Sequence, residues 1–79
     1  MTTRHADHAC TPRELAILTL VVNGLTDKEI ALRLGLARRT VSNRMSIILL
    51  KLSARNRTEA VAIAISTNVV RYIQAERQE

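Results

Sequence analysis

The chain has 79 residues, enough for one domain and no more, with a formal net charge of +5. It contains no Trp or Phe, one Tyr, two Gly and one Pro, so its core must be aliphatic, and a turn-rich β fold is excluded in favour of a small all-α bundle. Cys10 is the only cysteine, which rules out an intramolecular disulfide and suits a reducing cytoplasm. The longest apolar runs, residues 47–50 and 60–65, fall far short of the ~20 residues that span a bilayer, so no membrane partner is expected.

Residues 1–10 are polar and without periodicity, and read as a flexible N-terminal arm with no secretory signal. His5, His8 and Cys10 are metal-ligating types, but three such residues on an unstructured tail do not make a structural zinc site, which takes four placed ligands. No metal or other cofactor is expected. Thr11-Pro12-Arg13-Glu14 then marks a helix start: Thr11 caps free N–H groups, Pro12 suits the first helical position, and Glu14 completes a capping box. Ile17, Leu18 and Val21 follow at helical spacing and Gly24 stops the helix, which predicts a first helix over residues 12–23. Thr26-Asp27-Lys28-Glu29 repeats the capping device. Ile30, Ala31 and Leu34 form the buried side of the second helix and Gly35 closes it, leading through Leu36 and Ala37 into a third helix. Two short helices joined by a Gly-containing turn have the pattern of a helix-turn-helix.

The third helix is predicted over Arg38–Leu52. Val41, Met45, Ile48, Leu49 and Leu52 make one apolar stripe, and the opposite side carries Arg39, Ser42, Asn43 and Ser46, a small polar face of the kind a major groove about 12 Å wide admits. Asn56-Arg57-Thr58-Glu59 reads as a third capping box. It opens a fourth helix with Ala60, Val61, Ile63, Ala64 and Ile65 apolar on more than one side, so that a second subunit is expected to cover the face the bundle leaves open. Beyond Ser66, either the fourth helix continues to about Ala75 or Thr67 or Asn68 caps a short fifth helix. The chain thus divides into an arm (1–10), a domain (11–66) and a C-terminal helical extension or tail (67–79).

Charge adds a separate signal. Residues 30–58 contain no acid and hold seven of the twelve basic residues: Arg33, Arg38, Arg39, Arg44, Lys51, Arg55 and Arg57. Ion pairs within this interval are therefore impossible. A one-signed stripe repels itself unless a polyanion is its usual partner, because each neutralised phosphate releases counterions. Glu14, Glu29 and Glu59 sit at the third position of capping boxes, which accounts for them without acid catalysis. The two histidines lie on the arm, and no catalytic arrangement is present, so an enzyme is not expected.

Taken in order, Thr11-Pro12-Arg13-Glu14, Gly24 through Ala31, Leu34-Gly35-Leu36, Thr40-Val41-Ser42-Asn43, Lys51-Leu52 and Arg55 through Val61 resemble the LuxR/NarL/GerE-type DNA-binding domain, without gaps, from about Thr11 to Ile65. Typical members carry this domain at the C-terminus behind a receiver or an autoinducer-binding domain. By resemblance this chain corresponds to a stand-alone member or to such a C-terminal domain alone.

The resemblance implies a four-helix domain whose helices 2 and 3 form the helix-turn-helix, and a sequence-specific transcriptional regulator that binds double-stranded DNA as a homodimer through helix 4. RNA polymerase is a further partner it allows. By position, Ser42, Asn43 and Ser46, together with Arg39, are expected at base edges. Thr26, Lys28, Arg38, Thr40, Arg44, Lys51 and Arg57 are expected at phosphates, and Val61, Ala64, Ile65 and Asn68 at the dimer interface. Three departures stand out. Position 42 is often Lys but is Ser here, position 37 lacks the usual Ser or Thr cap oxygen, and Ile47 and Leu50 are apolar where the family is usually polar. The last two read as scattered surface hydrophobes. The alternative reading is an interaction module that heterodimerises with a full-length regulator and inhibits it.

Overall fold

The computed structural model describes residues 10–67, which form four helices: α1 (Pro12–Val22), α2 (Asp27–Leu34), α3 (Arg38–Leu52) and α4 (Arg57–Ser66). The expectations for residues 1–9 with His5 and His8, for Asn68, and for a continued α4 or a fifth helix lie outside the described residues.

Each boundary has a local cause. Thr11 and Thr26 accept from the N–H groups of Glu14 and Glu29 at 3.1 and 3.2 Å, and both glutamates return the bond to the cap N–H at 2.9 and 2.8 Å, so α1 and α2 open with full capping boxes. α1 ends through Gly24 at φ +92°, with the Leu25 N–H reaching back to the Leu20 carbonyl. α2 ends through Gly35 at φ +70°, with the Leu36 N–H on the Ala31 carbonyl. α3 closes the same way without a glycine: Ser53 takes φ +57° and the Ala54 N–H bonds the Leu49 carbonyl. The third box is a correction. Asn56 does accept from Glu59 N–H at 2.8 Å, but the Glu59 carboxylate turns to the Arg55 N–H at 2.6 Å, so the reciprocal bond to Asn56 is not made.

α1 and α3 are the hubs. Each packs on the other three helices, whereas α2 and α4 do not pack on one another. Ile17, Leu18, Ile30, Val41 and Ile48 are fully buried between them, each contributing roughly 1.5–3 kcal/mol of transfer free energy. Ala60 and Ala64 bring α4 against the same core, and Leu34, Leu49, Val61 and Ile63 pack at its margin. Ala64, expected at a subunit interface, is therefore a correction: it has no exposed surface within the monomer, because its methyl faces the core beside Ala60. Cys10, counted with the arm, is buried at 8% exposure.

Candidate nucleic-acid interface

The apolar stripe of α3 fixes which side of that helix faces out. With Val41, Met45, Ile48 and Leu52 buried, helical geometry turns Arg39, Ser42, Asn43 and Ser46 to the opposite side, and all four are exposed. This face lies beside the N-terminus of α2. The Ser42 hydroxyl donates to Asp27 Oδ2 at 3.1 Å, and the Ser46 hydroxyl donates to the Ser42 carbonyl at 3.3 Å. Asn43 keeps its amide free among the described residues, with both a donor and an acceptor available.

The basic residues expected at phosphates, taken with Arg39 from the reading face, divide into two groups. Lys28, Arg38 and Arg39 are exposed and make no ion pair among the described residues. The others are tied to acids on different helices. Lys51 Nζ lies 2.7 Å from Glu14 Oε1, Arg57 Nη1 lies 2.8 Å from Asp27 Oδ1, and Arg44 is more loosely placed 3.9 Å from Glu14. The lack of acids in residues 30–58 therefore does not leave the stripe unpaired, because Glu14 and Asp27, which precede it, fold against it. Thr26 is exposed and its oxygen is already used as the α2 cap, and Thr40 is half-buried.

Two carboxylates thus have roles that the sequence did not show. Glu14 is 2% exposed and serves both the α1 cap and Lys51. The Lys51 hydrogen bond, followed by that from the Thr11 N–H, holds its carboxyl below the usual carboxylate range. Asp27 joins three helices. Arg57, then the Ser42 hydroxyl, hold its carboxyl below the usual range against the opposing effect of burial. Arg57 also donates to the Leu25 carbonyl at 2.9 Å, so one guanidinium links α4 to the α1–α2 turn and to the start of α2. No local pattern announces these pairs, whose partners lie 37 and 30 residues apart.

On α4, Val61 is half-buried and Ile65 is 46% exposed. Leu50 on α3 is 80% and Ile47 37% exposed. No group of three His, Cys, Asp or Glu gathers among the described residues, and none of their helices is long and apolar enough to cross a membrane.

The helix-turn-helix geometry agrees with the comparisons with known proteins. Residues 8–64 match the family described as bacterial regulatory proteins, luxR family. The chain is 46% identical over 63 residues to the probable transcriptional regulator ycf29 of Porphyra purpurea, covering 80% of this chain and 30% of that protein. It is 42% identical over 60 residues to the transcriptional regulatory protein YdfI of Bacillus subtilis, covering 76% and 28%, and 46% identical over 61 residues to the response regulator RamR of Streptomyces coelicolor, covering 77% and 30%. The chain spans less than a third of the length of these relatives. On the match over most of its length, the chain belongs to the luxR family of bacterial regulatory proteins.

Proposed function

We propose that this chain is the sequence-specific double-stranded DNA-binding unit of a cytoplasmic transcriptional regulator and that it acts as a homodimer, with α3 in the major groove. One observation carries the reading: the polar side of α3 stays open to solvent while the opposite side is committed to the core. Asn43 is the lead base reader, since a free amide can bond adenine N6 and N7 together, with Arg39, Ser42 and Ser46 around it. Lys28, Arg38, Arg39 and Arg44 supply charge toward phosphates. Lys51 and Arg57 act there mainly by holding helices in place, and Thr26 and Thr40 offer hydroxyls at the margins of the interface. An open cleft of about 410 Å³ is lined by Thr26, Asp27, Arg38 and Arg57, with Arg57 held on Asp27 and Arg38 left as its free cation among the described residues.

The dimer reading rests on α4, where Val61 and Ile65 leave apolar surface uncovered, with Asn68 following them in sequence. Paired subunits place two recognition helices about one helical turn apart, ~10 bp. Selection from random duplexes tests both parts: the expected product is a two-fold symmetric site with half-sites at that spacing. If no duplex is retarded at any salt concentration, the reading fails, and capture of a full-length regulator by the same protein would favour the inhibitory interaction module. RNA polymerase is a further partner of the assembled regulator under this reading.

A further inference from the structure

Ser42 is the position where this chain has a short neutral side chain in the middle of its proposed reading face, and its hydroxyl is already engaged. A serine hydroxyl has one proton and two lone pairs. Its proton points at Asp27 Oδ2, 3.1 Å away. The direction of that bond is fixed by the partner, because an ionised carboxylate accepts and cannot donate. Asp27 is in turn held from its other side, where Oδ1 takes the Arg57 guanidinium at 2.8 Å and Arg57 is anchored on the Leu25 carbonyl at 2.9 Å. Along this chain every acceptor is met by a donor: Arg57 donates to both the Leu25 carbonyl and Asp27, Ser42 donates to Asp27, and the chain ends with the Ser42 lone pairs facing outward. Ser46, one turn further along, has its proton on the Ser42 carbonyl and likewise presents lone pairs.

We infer that Asp27 is a positioning residue for sequence readout: by holding the Ser42 proton it makes Ser42 an obligate hydrogen-bond acceptor toward DNA, so that Ser42 reads the exocyclic amine of adenine or cytosine and not the N7 or carbonyl oxygen of a base. This rests on the proposed DNA-binding reading. In the major groove the amines at adenine N6 and cytosine N4 are the donors, while N7, guanine O6 and thymine O4 are acceptors that would face lone pairs on Ser42 and the Asp27 charge behind it. The ionised state of Asp27 that the inference needs agrees with the pull of Arg57 on its carboxyl.

The test pairs atoms deleted from the DNA with atoms deleted from the protein, using the selected duplex. At each half-site position, adenine is replaced by purine or cytosine by 2-pyrimidinone, which removes the amine, and separately a purine is replaced by its 7-deaza form, which removes N7. The Ser42→Ala protein, measured on the same duplexes, subtracts the effect on the duplex itself. At one position the wild-type protein is expected to lose about threefold to tenfold in affinity when the amine is removed, and the Ser42→Ala protein is expected to be indifferent. Asp27→Asn then tests the positioning role. Arg57 takes the amide oxygen, the amide NH2 turns to Ser42, and the hydroxyl proton is released outward, so sensitivity should pass from the amine to an acceptor atom. Circular dichroism melts show whether this variant is folded; the comparison of wild type with Ser42→Ala stands without it.

A Ser42-dependent loss on removing N7 from the wild-type site would overturn the inference, as would a Ser42→Ala protein with unchanged sensitivity at every position. A folded Asp27→Asn protein that still reads the amine would overturn the role given to Asp27. Failure of the wild-type protein to bind any duplex would instead remove the proposed function, a result that the first selection distinguishes.

Discussion

Ala37 stands at the N-cap of α3 with φ −72° and ψ 146°, the extended geometry that a capping serine or threonine adopts, but it has no side-chain oxygen and makes no cap bond. Of the four helix starts this one alone, among the described residues, lacks a side-chain cap, and it opens the helix that carries the proposed reading face. The backbone is already arranged for a hydroxyl, and Ala37 is exposed, so no packing opposes one. Ala37→Ser should stabilise the domain by about 1 kcal/mol. For a domain of this size that corresponds to a rise of roughly 4–8 °C in melting temperature, measurable by circular dichroism. An unchanged Tm would mean that water already satisfies those N–H groups. Ser53 presents the contrasting case. It adopts a left-handed conformation at φ +57° where α1 and α2 use glycine, and nothing in the sequence Ser53-Ala54-Arg55 marks that position.

Between elements, the ion pairs of Glu14 and Asp27 do what the small core cannot do alone. α2 and α4 share no packing surface, yet Arg57 ties the first turn of α4 to the first residue of α2, and Lys51 ties the last turn of α3 to the first turn of α1. Glu14→Gln keeps the shape of the side chain but removes the charge, and should destabilise the fold by roughly 1–3 kcal/mol, reduced toward the lower end because Lys51 is partly solvated. The pH dependence has a definite sign. Both carboxyls titrate below their ordinary values in the folded state, so their contribution is fully present above the unfolded carboxylate range, near pH 4–4.5, and is lost as pH falls through that range toward the lower folded values. Melting temperature followed from pH 7 to pH 2 should therefore fall more steeply below about pH 5 for the wild type than for Glu14→Gln. Parallel curves would show that Glu14 contributes through packing alone. The helices themselves were legible because their signals are local. Capping residues sit three positions from their partners, and Val41, Met45, Ile48 and Leu52 repeat on one face. The outward face of α3 follows from that stripe. The long-range pairs were not legible, since an acid on α1 or at the start of α2 gives no sign of which distant cation it will meet. Ala64 was misplaced for a related reason: a small residue on a helix that is apolar on several sides does not show which side the core takes.

At the scale of the whole molecule, the question is how many of the cations are available to a polyanion. The interval 30–58 holds seven, but folding pairs Lys51 and Arg57 closely with Glu14 and Asp27, and Arg55 with Glu59 at 3.4 Å. A cation already neutralised by a carboxylate is less able to displace the counterions condensed on a DNA phosphate, whereas a solvated one does so in full. Under the proposed DNA-binding reading, each free phosphate contact contributes about 0.9 to the slope of log K against log salt. Arg39→Ala should therefore reduce the magnitude of that slope by about 0.9 while leaving the melting temperature within the small range of a surface change. Arg57→Ala should do the reverse. Losing its bonds to Asp27 and to the Leu25 carbonyl lowers stability by about 1 kcal/mol, and the slope changes by clearly less than one contact, because a guanidinium already committed to Asp27 neutralises little phosphate charge. Salt titrations of binding, paired with thermal melts of the same proteins, separate the two. If Arg57→Ala removes a full contact from the slope and leaves the melt untouched, the bond to Asp27 must open when DNA is bound, and Arg57 belongs with the free cations.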